Sequence, residues 1–342
     1  MRLIIQRAGR QGAASAPDRP HGGPERPHGM EQRPAQRVVR PQPLQAGAPS
    51  ASRLELRLAG QVLAIVAVLA LSFLLELTVL GNLRHDRDQE QLADEFRIEL
   101  ANAVAPVGPL DAQNKLLAAG APVALLEIPW LGVREIVVQG TSSGTLMSGP
   151  GHRRDTPLPG QVGTSVIAGR RAAYGGPFGS IDRLHAGDEI TVTTGQGKNS
   201  FVVLGVRHAG DPLPLALPRG QGRLTLVTTD VAARPQIPFL PAALQPTDVV
   251  RVDAALTSAA QPFGGQLPSQ ALPAADAVLA GDSSALLGVI GWAVLLVAAA
   301  VGTVWVRFRT GWWQAWVIGV PVLLALGLTA FDEIAAMLPN VL

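Results

Sequence analysis

The chain contains no cysteine, and its 342 residues include only two lysines, Lys115 and Lys198. The missing cysteine excludes a disulfide framework and any thiolate metal site. It is compatible with an exported domain that avoids oxidation. Charge is also scarce. Charged residues make up 16% of the chain and the formal net charge is +2, so no overall field points to nucleic acid as a partner. The pI of 9.6 arises mostly from arginine, which is clustered and not spread. No metal-ligand spacing, phosphate-binding glycine loop or dinucleotide fingerprint occurs, so no cofactor is expected. What remains is apolar. Hydrophobic residues make up 47% of the chain, a balance that leans toward a membrane protein.

Residues 1–55 are rich in arginine, proline, glycine and glutamine. Such a segment buries too little apolar surface to offset its ordering entropy, so it is expected to be a disordered cytoplasmic tail. Its dispersed arginines favour a solvated tail over a lipid-binding arm. Met30 is an alternative start to Met1. Residues 58–80 form a nearly continuous apolar run of 23 residues, interrupted by Gln61, Ser72 and Glu76. The run can cross about 30 Å of hydrocarbon and lacks a cleavage pattern, so it reads as a transmembrane anchor. Two further spans are expected at 286–306 and 314–338, the second containing Pro321, which membrane helices tolerate. The basic loop 307–313 between them, with Arg307, Arg309 and flanking tryptophans, favours the cytoplasm. The arginine-rich first segment gives the same assignment. A multi-pass plasma-membrane protein follows, with three spans, a cytoplasmic N-terminus and the region between the first and second spans extracytoplasmic.

Residues 84–124 read as stalk and connector. Leu92, Phe96 and Leu100 recur at helical spacing over 84–100, and prolines 106, 109 and 122 follow. From 125 to 257 the chain becomes a series of short β-rich runs separated by turn residues: 133–138, 162–168, 189–194, 200–207, 223–228 and 248–256. Many short strands at this spacing predict an antiparallel barrel or sandwich. Residues 258–284 return to Ala, Pro, Gln and Gly and read as a flexible linker to the membrane.

Two stretches carry the strongest resemblance to a known family. Leu224-Thr225-Leu226-Val227-Thr228-Thr229-Asp230 resembles the nucleophile strand of sortases, Thr-Leu-x-Thr-Cys, with threonine in the cysteine position. Ser165-Val166-Ile167-Ala168-Gly169-Arg170-Arg171 resembles the sortase histidine segment, Ala-Gly-His-Arg, with arginine in the histidine position. Weaker matches follow in the family's order. They are Ile128-Pro129-Trp130-Leu131-Gly132-Val133, then Gly140-Thr141 with Thr145-Leu146 and Gly149-Pro150-Gly151-His152. After them come Thr156 to Gly163, Tyr174-Gly175-Gly176-Pro177-Phe178, and Leu184 with Gly187-Asp188. The resemblance is nearest to the actinobacterial, class E-like type. It implies a mainly β fold, a closed eight-stranded barrel at 125–257, carried by one N-terminal and two C-terminal transmembrane helices.

The resemblance also implies chemistry that these residues depart from. In the family a cysteine thiolate attacks a sorting-signal carbonyl, histidine moves protons and an arginine faces the oxyanion. Thr229 offers only a hydroxyl, and Arg170 cannot act as a base because a guanidinium holds its proton at neutral pH. With no cysteine anywhere, no other residue supplies the thiol. For the family's arginine, Arg234 is near in sequence and Arg251 lies further on, but neither aligns with it; Pro238 stands near the expected spacing. The residues expected around the cleft are His152, Arg170, Arg171, Thr228, Thr229, Asp230 and Arg234. A Thr229–His152 hydroxyl pair is one arrangement; the plainer readings are a loop histidine bonded to backbone and a β-branched strand residue. Arg170 and Arg171 are expected to pair with Asp230 or another carboxylate. The function expected first is a catalytically inactive, membrane-anchored sortase-like protein that binds a cell-surface peptide or protein, or scaffolds a membrane assembly through its last two helices. The alternative is an acyltransferase or hydrolase using Thr229.

Overall fold

The computed structural model describes residues 56, 63, 71–111, 113–231, 246–283 and 285–342. The tail 1–55, most of the first expected span and Arg234 lie outside these residues. The chain divides after Leu56, and the unit Arg57–Leu342 holds both the barrel and the apolar helices.

A closed barrel of eight strands forms the centre. The strands are β1 (Pro122–Ile128), β2 (Val133–Gln139), β3 (Gly151–His152), β4 (Gly163–Ala168), β5 (Glu189–Thr194), β6 (Gly197–Arg207), β7 (Gly222–Val231) and β8 (Pro246–Leu256). Around the barrel they run β1-β2-β3-β4-β7-β8-β6-β5, and β5 pairs back onto β1. The β2–β3 and β4–β7 pairs are parallel and the others antiparallel. Closure leaves no free edge, which disposes of unpaired ladder groups. The strands hold β-branched residues at alternating positions. Val123, Leu126, Ile167, Ile190, Val192, Phe201, Leu224, Leu226 and Val252 meet in one buried core. β1 starts at Pro122, three residues before the expected boundary, because a proline at the first position of a strand forfeits no ladder bond.

β7 is buried on both faces from Leu224 to Thr229. Leu224 and Leu226 point into the barrel core, while Val227 lies in a second cluster with Leu146, Ala168, Val249 and Val341. Since successive strand residues alternate faces, Thr229 shares the outer face with Val227.

A π-helical turn, Glu76–Leu80, leads into α1, Gly81–Ala101. α1 is docked on the barrel wall and does not stand off as a stalk. Phe96 packs with Ile136 and Ala105, and the Gln89 amide brackets β2, donating to Ile136 O (3.1 Å) while its Oε1 accepts from Ile136 N (2.7 Å). A short turn of helix, α2, spans Thr145–Ser148. The helices α3, Ala285–Thr310, and α4, Trp312–Met337, form an antiparallel hairpin. Their segments Ala285–Thr303 and Val317–Met337 are long and apolar enough to cross a membrane. Leu287, Val294, Val297, Val301, Val317 and Leu324 stay exposed, as suits a lipid-facing surface.

The expectation of a flexible linker at 258–284 is corrected. Residues Ser269–Ala271 and Ala274–Asp276 form 3-10 turns. Leu267 N donates to Arg154 O, Asp276 is buried, and Val278 and Leu279 pack against the second cluster. Composition read the segment as a linker because its apolar residues are too few and irregular to show periodicity. Their partners are barrel residues far away in the sequence.

Candidate functional site

The ends of β2, β4 and β7 and the start of β8 meet on one face of the barrel. Gly169 carries the chain out of β4 beside the Phe178 ring, where any Cβ would come within 2.5 Å of a ring carbon. Glycine there lets the chain pass Phe178 and delivers Arg170 to the cleft.

Arg170 is fully buried. Its Nη2 donates to Ser143 O (2.9 Å) and Ser143 Oγ (2.8 Å), and its guanidinium lies 5.1 Å from the centre of the Tyr174 ring. Nε and Nη1 have no hydrogen-bond partner, and none of the described carboxylates forms an ion pair with Arg170. Burial lowers its pKa to about 10, opposed by Tyr174. Burial likewise raises the Tyr174 phenol to about 12. The expected pairing of Arg170 with a carboxylate is therefore not present. Arg171 does have one: Nη2 meets Asp182 Oδ2 at 2.8 Å, and Nη1 donates to Thr229 O at 3.1 Å.

Thr229 is fully buried, and its Oγ1 donates to Val341 O at 3.1 Å. That acceptor is a backbone carbonyl, which cannot serve as a base. Thr228 turns the other way, and its Oγ1 donates to Gly169 O at 2.9 Å. Asp230 follows on the face opposite Thr229 and pairs with His208 Nδ1 at 2.8 Å, not with either cleft arginine. His152 is buried within its own network. Nδ1 lies 2.9 Å from Gln139 Oε1, and Nε2 lies 3.0 Å from Pro157 O and 3.2 Å from Thr156 Oγ1. Both ring nitrogens are engaged away from Thr229, so the Thr229–His152 pair does not form. Burial lowers the His152 pKa to about 4, outweighing the Pro157 carbonyl and Asp155.

Thr229, Arg170, Arg171 and Thr228 thus come together, while His152 and Asp230 belong to neighbouring networks. The residues missed from sequence are those that close the cleft. Ser143 receives Arg170, and Thr141 Oγ1 donates to Asp276 O at 2.7 Å. Asn340, Val341 and Leu342 are buried against the site. Small and polar residues in a loop, and a short turn after a helix, carry no periodic signal that could have singled them out.

Residues 126–236 match the family model of the sortase domain. Among solved structures, sortase E from Streptomyces avermitilis is 28% identical, with 47% of this chain and 99% of that chain covered and a TM-score of 0.33. A sortase D5 transpeptidase from Clostridium perfringens is 21% identical over 50% of this chain and 99% of that one, with a TM-score of 0.39. Sortase E1 from Streptomyces coelicolor, solved with a tripeptide in the active site, is 23% identical over 46% and 98%, with a TM-score of 0.32. No curated protein matches the chain.

Proposed function

We propose that this chain is a membrane-anchored, extracytoplasmic sortase-family protein, nearest to the actinobacterial class E-like type, that has lost transpeptidase chemistry and retains a peptide-binding cleft. One observation carries the reading. The side chain at the nucleophile position, Thr229, gives its only hydroxyl proton to a backbone carbonyl, and none of the described side chains accepts that proton. A hydroxyl becomes a useful nucleophile only when an adjacent group takes its proton. The group at the base position is Arg170, which is a cation at neutral pH even with its pKa lowered to about 10. The nearest imidazole on the family pattern, His152, is held at low pKa by burial and is bonded elsewhere.

Support for a peptide site comes from backbone carbonyls already seated there, those of Val341 and Leu342. The Thr229 hydroxyl and the Arg171 amide both donate to carbonyl oxygens, and Val227, Val249 and Ala168 offer an apolar floor. The ligand class that fits is a short peptide from a surface protein. The exposed faces of α3 and α4 offer a second surface, suited to a partner within the membrane.

The test is a cleavage and transpeptidation assay on the full chain in detergent, with labelled sorting peptides and an amine acceptor. Wild type and Thr229→Ala are expected to give the same background. Turnover by wild type that disappears in Thr229→Ala overturns the reading. Turnover gained by the double variant Thr229→Cys with Arg170→His would place the loss of chemistry on those two side chains.

A further inference from the structure

The donors at this site are already taken by residues 339–342 of the same chain. After α4 ends at Met337, residues 339–342 make a tight turn, with Leu342 N donating to Pro339 O at 3.1 Å. Asn340 and Val341 are fully buried and Leu342 nearly so. Val341 enters the outer-face cluster of Leu146, Ala168, Val227 and Val249. Its carbonyl receives the Thr229 hydroxyl at 3.1 Å and the Arg171 amide at 3.3 Å, and Leu342 O receives the same amide at 3.2 Å. Asn340 locks the turn from the side. Its Nδ2 donates to Thr141 O at 2.6 Å and to Ala277 O at 2.9 Å, and its backbone N–H donates to Ala280 O at 2.9 Å.

We propose that residues 339–342 are an intramolecular ligand of this cleft, and that the site takes in their place a short apolar peptide presenting a backbone carbonyl to Thr229 Oγ1 and Arg171 N–H. The proposal rests on the reading of the cleft as a peptide site and adds what fills it. Two observations point to an exchangeable occupant and not to ordinary core. First, the contacts are the kind any peptide can make: carbonyls accepting from a hydroxyl and an amide, and one aliphatic side chain on an apolar floor. Second, the buried Arg170 guanidinium beside Ser143 leaves Nε and Nη1 unpartnered, so the occupant leaves unmet hydrogen-bonding capacity at the edge of the cleft. A buried cation without full partners is costly, and a ligand that brings an acceptor to it relieves that cost. The occupying segment is also tied to the membrane hairpin. Ser143 Oγ donates to Ala335 O in the last turn of α4 at 3.3 Å, so a peptide that displaces the turn acts directly on the helix end.

The absence of cysteine makes the test direct, since one introduced thiol is the only one present. Val249 lies under Val341 and opposite Thr229, and a cysteine there replaces one small apolar side chain by another. The full chain carrying Val249→Cys, in detergent micelles, is expected to react slowly with a maleimide. Adding Val341→Asp, or ending the chain after Leu338, is expected to speed that reaction by about tenfold or more, as local opening would. A synthetic peptide with the sequence of residues 336–342 is expected to slow it again in the shortened chain. Val192→Cys, inside the barrel, reports loosening of the whole domain and is expected to stay slow throughout. An unchanged Val249→Cys rate overturns the proposal, as does a rise that the peptide fails to reverse. If Val341→Asp also exposes the Val192→Cys thiol, the milder Val341→Ala decides: selective exposure at position 249 supports the proposal, and its absence overturns it. A wild type active in the turnover assay would remove the pseudoenzyme reading and leave this labelling result untouched.

Discussion

A guanidinium buried without a carboxylate and a histidine buried without a charge pose the same problem with different solutions. Arg170 stays charged and is held by Ser143 and the face of Tyr174. His152 avoids the penalty by staying neutral, with its pKa lowered to about 4 mainly by burial. The resulting pH dependence has a definite sign. A histidine whose folded pKa lies below its ordinary 6.5 contributes stability that is complete above 6.5 and is lost as pH falls toward 4. The unfolded chain binds the proton first, so acid favours unfolding. Between pH 7 and pH 5 the loss from His152 is about 2 kcal/mol. His85 works the other way. It is buried, but its hydrogen bond and charge contact with Glu135 outweigh burial and raise its pKa, so its contribution is present at low pH and fades as pH rises. His152→Gln, which keeps a polar side chain between Gln139 and Pro157, is expected to remove most of the acid-side loss while leaving the His85 part. Chemical denaturation of both proteins at pH 7 and 5 checks this, and parallel losses would contradict it. At this scale the sequence showed the two departures, Thr229 and Arg170, because a strand motif is read position by position. It did not show what they touch. Ser143 lies 27 positions from Arg170, and Val341 lies 112 from Thr229. Nothing in a local pattern carries contacts over such separations.

Elements were legible where a period was long enough to read. Six of the strands follow runs of alternating or β-branched residues, and α1 follows Leu92 and Phe96. β3 is two residues long, Gly151–His152, too short for any period; it exists because its neighbours β2 and β4 supply partners on both sides. β1 was hidden behind Pro122. The hairpin was legible as two apolar runs, but the contact between its helices was not. α3 and α4 meet through small residues. A Cβ on Gly319 would collide with the Thr303 side chain, whereas Gly327 has nothing near it. Close approach of this kind is how helices associate where no hydrophobic drive separates them from lipid. Gly319→Leu is therefore expected to destabilise the hairpin by about 1–3 kcal/mol through overpacking, and Gly327→Leu to leave it unchanged. Five of the six tryptophans, 292, 305, 312, 313 and 316, lie in the hairpin and only Trp130 in the barrel, so fluorescence-detected thermal unfolding in detergent reads the hairpin selectively. Equal midpoints for the two variants would show that the helices do not depend on this contact.

At the scale of the whole chain, contacts among the described residues tie the barrel to the hairpin at the end where α3 begins and α4 finishes. Asp282 N donates to Ala336 O at 3.0 Å, joining the start of α3 to the end of α4, and Ser143 Oγ donates to Ala335 O at 3.3 Å and Asn340 Nδ2 to Thr141 O at 2.6 Å, joining that end to the loop after β2. Arg84 bridges Glu76 and Asp332 beside them, and Phe73 packs on Phe331 with ring centres 5.4 Å apart. The hairpin's other end, at Gly311, is a helix length away. Each helix has 26 residues, or roughly 39 Å at about 1.5 Å per residue, which exceeds a hydrocarbon core of about 30 Å. If the hairpin spans a bilayer, the barrel lies on one side and the turn with Arg307 and Arg309 on the other. On that arrangement the rule for short basic loops would put the turn in the cytoplasm and the barrel outside. Cysteine scanning tests this without removing any native thiol. Leu213 sits on the barrel surface and is 85% exposed, and Trp313 is exposed beside the hairpin turn. In intact cells an impermeant maleimide is expected to label Leu213→Cys at once and Trp313→Cys only after permeabilisation. The reverse pattern would put the barrel in the cytoplasm and end the case for a surface ligand. Labelling of both sites in intact cells would mean that the hairpin does not cross the bilayer, and the exposed apolar faces of α3 and α4 would then have to be covered by a partner protein.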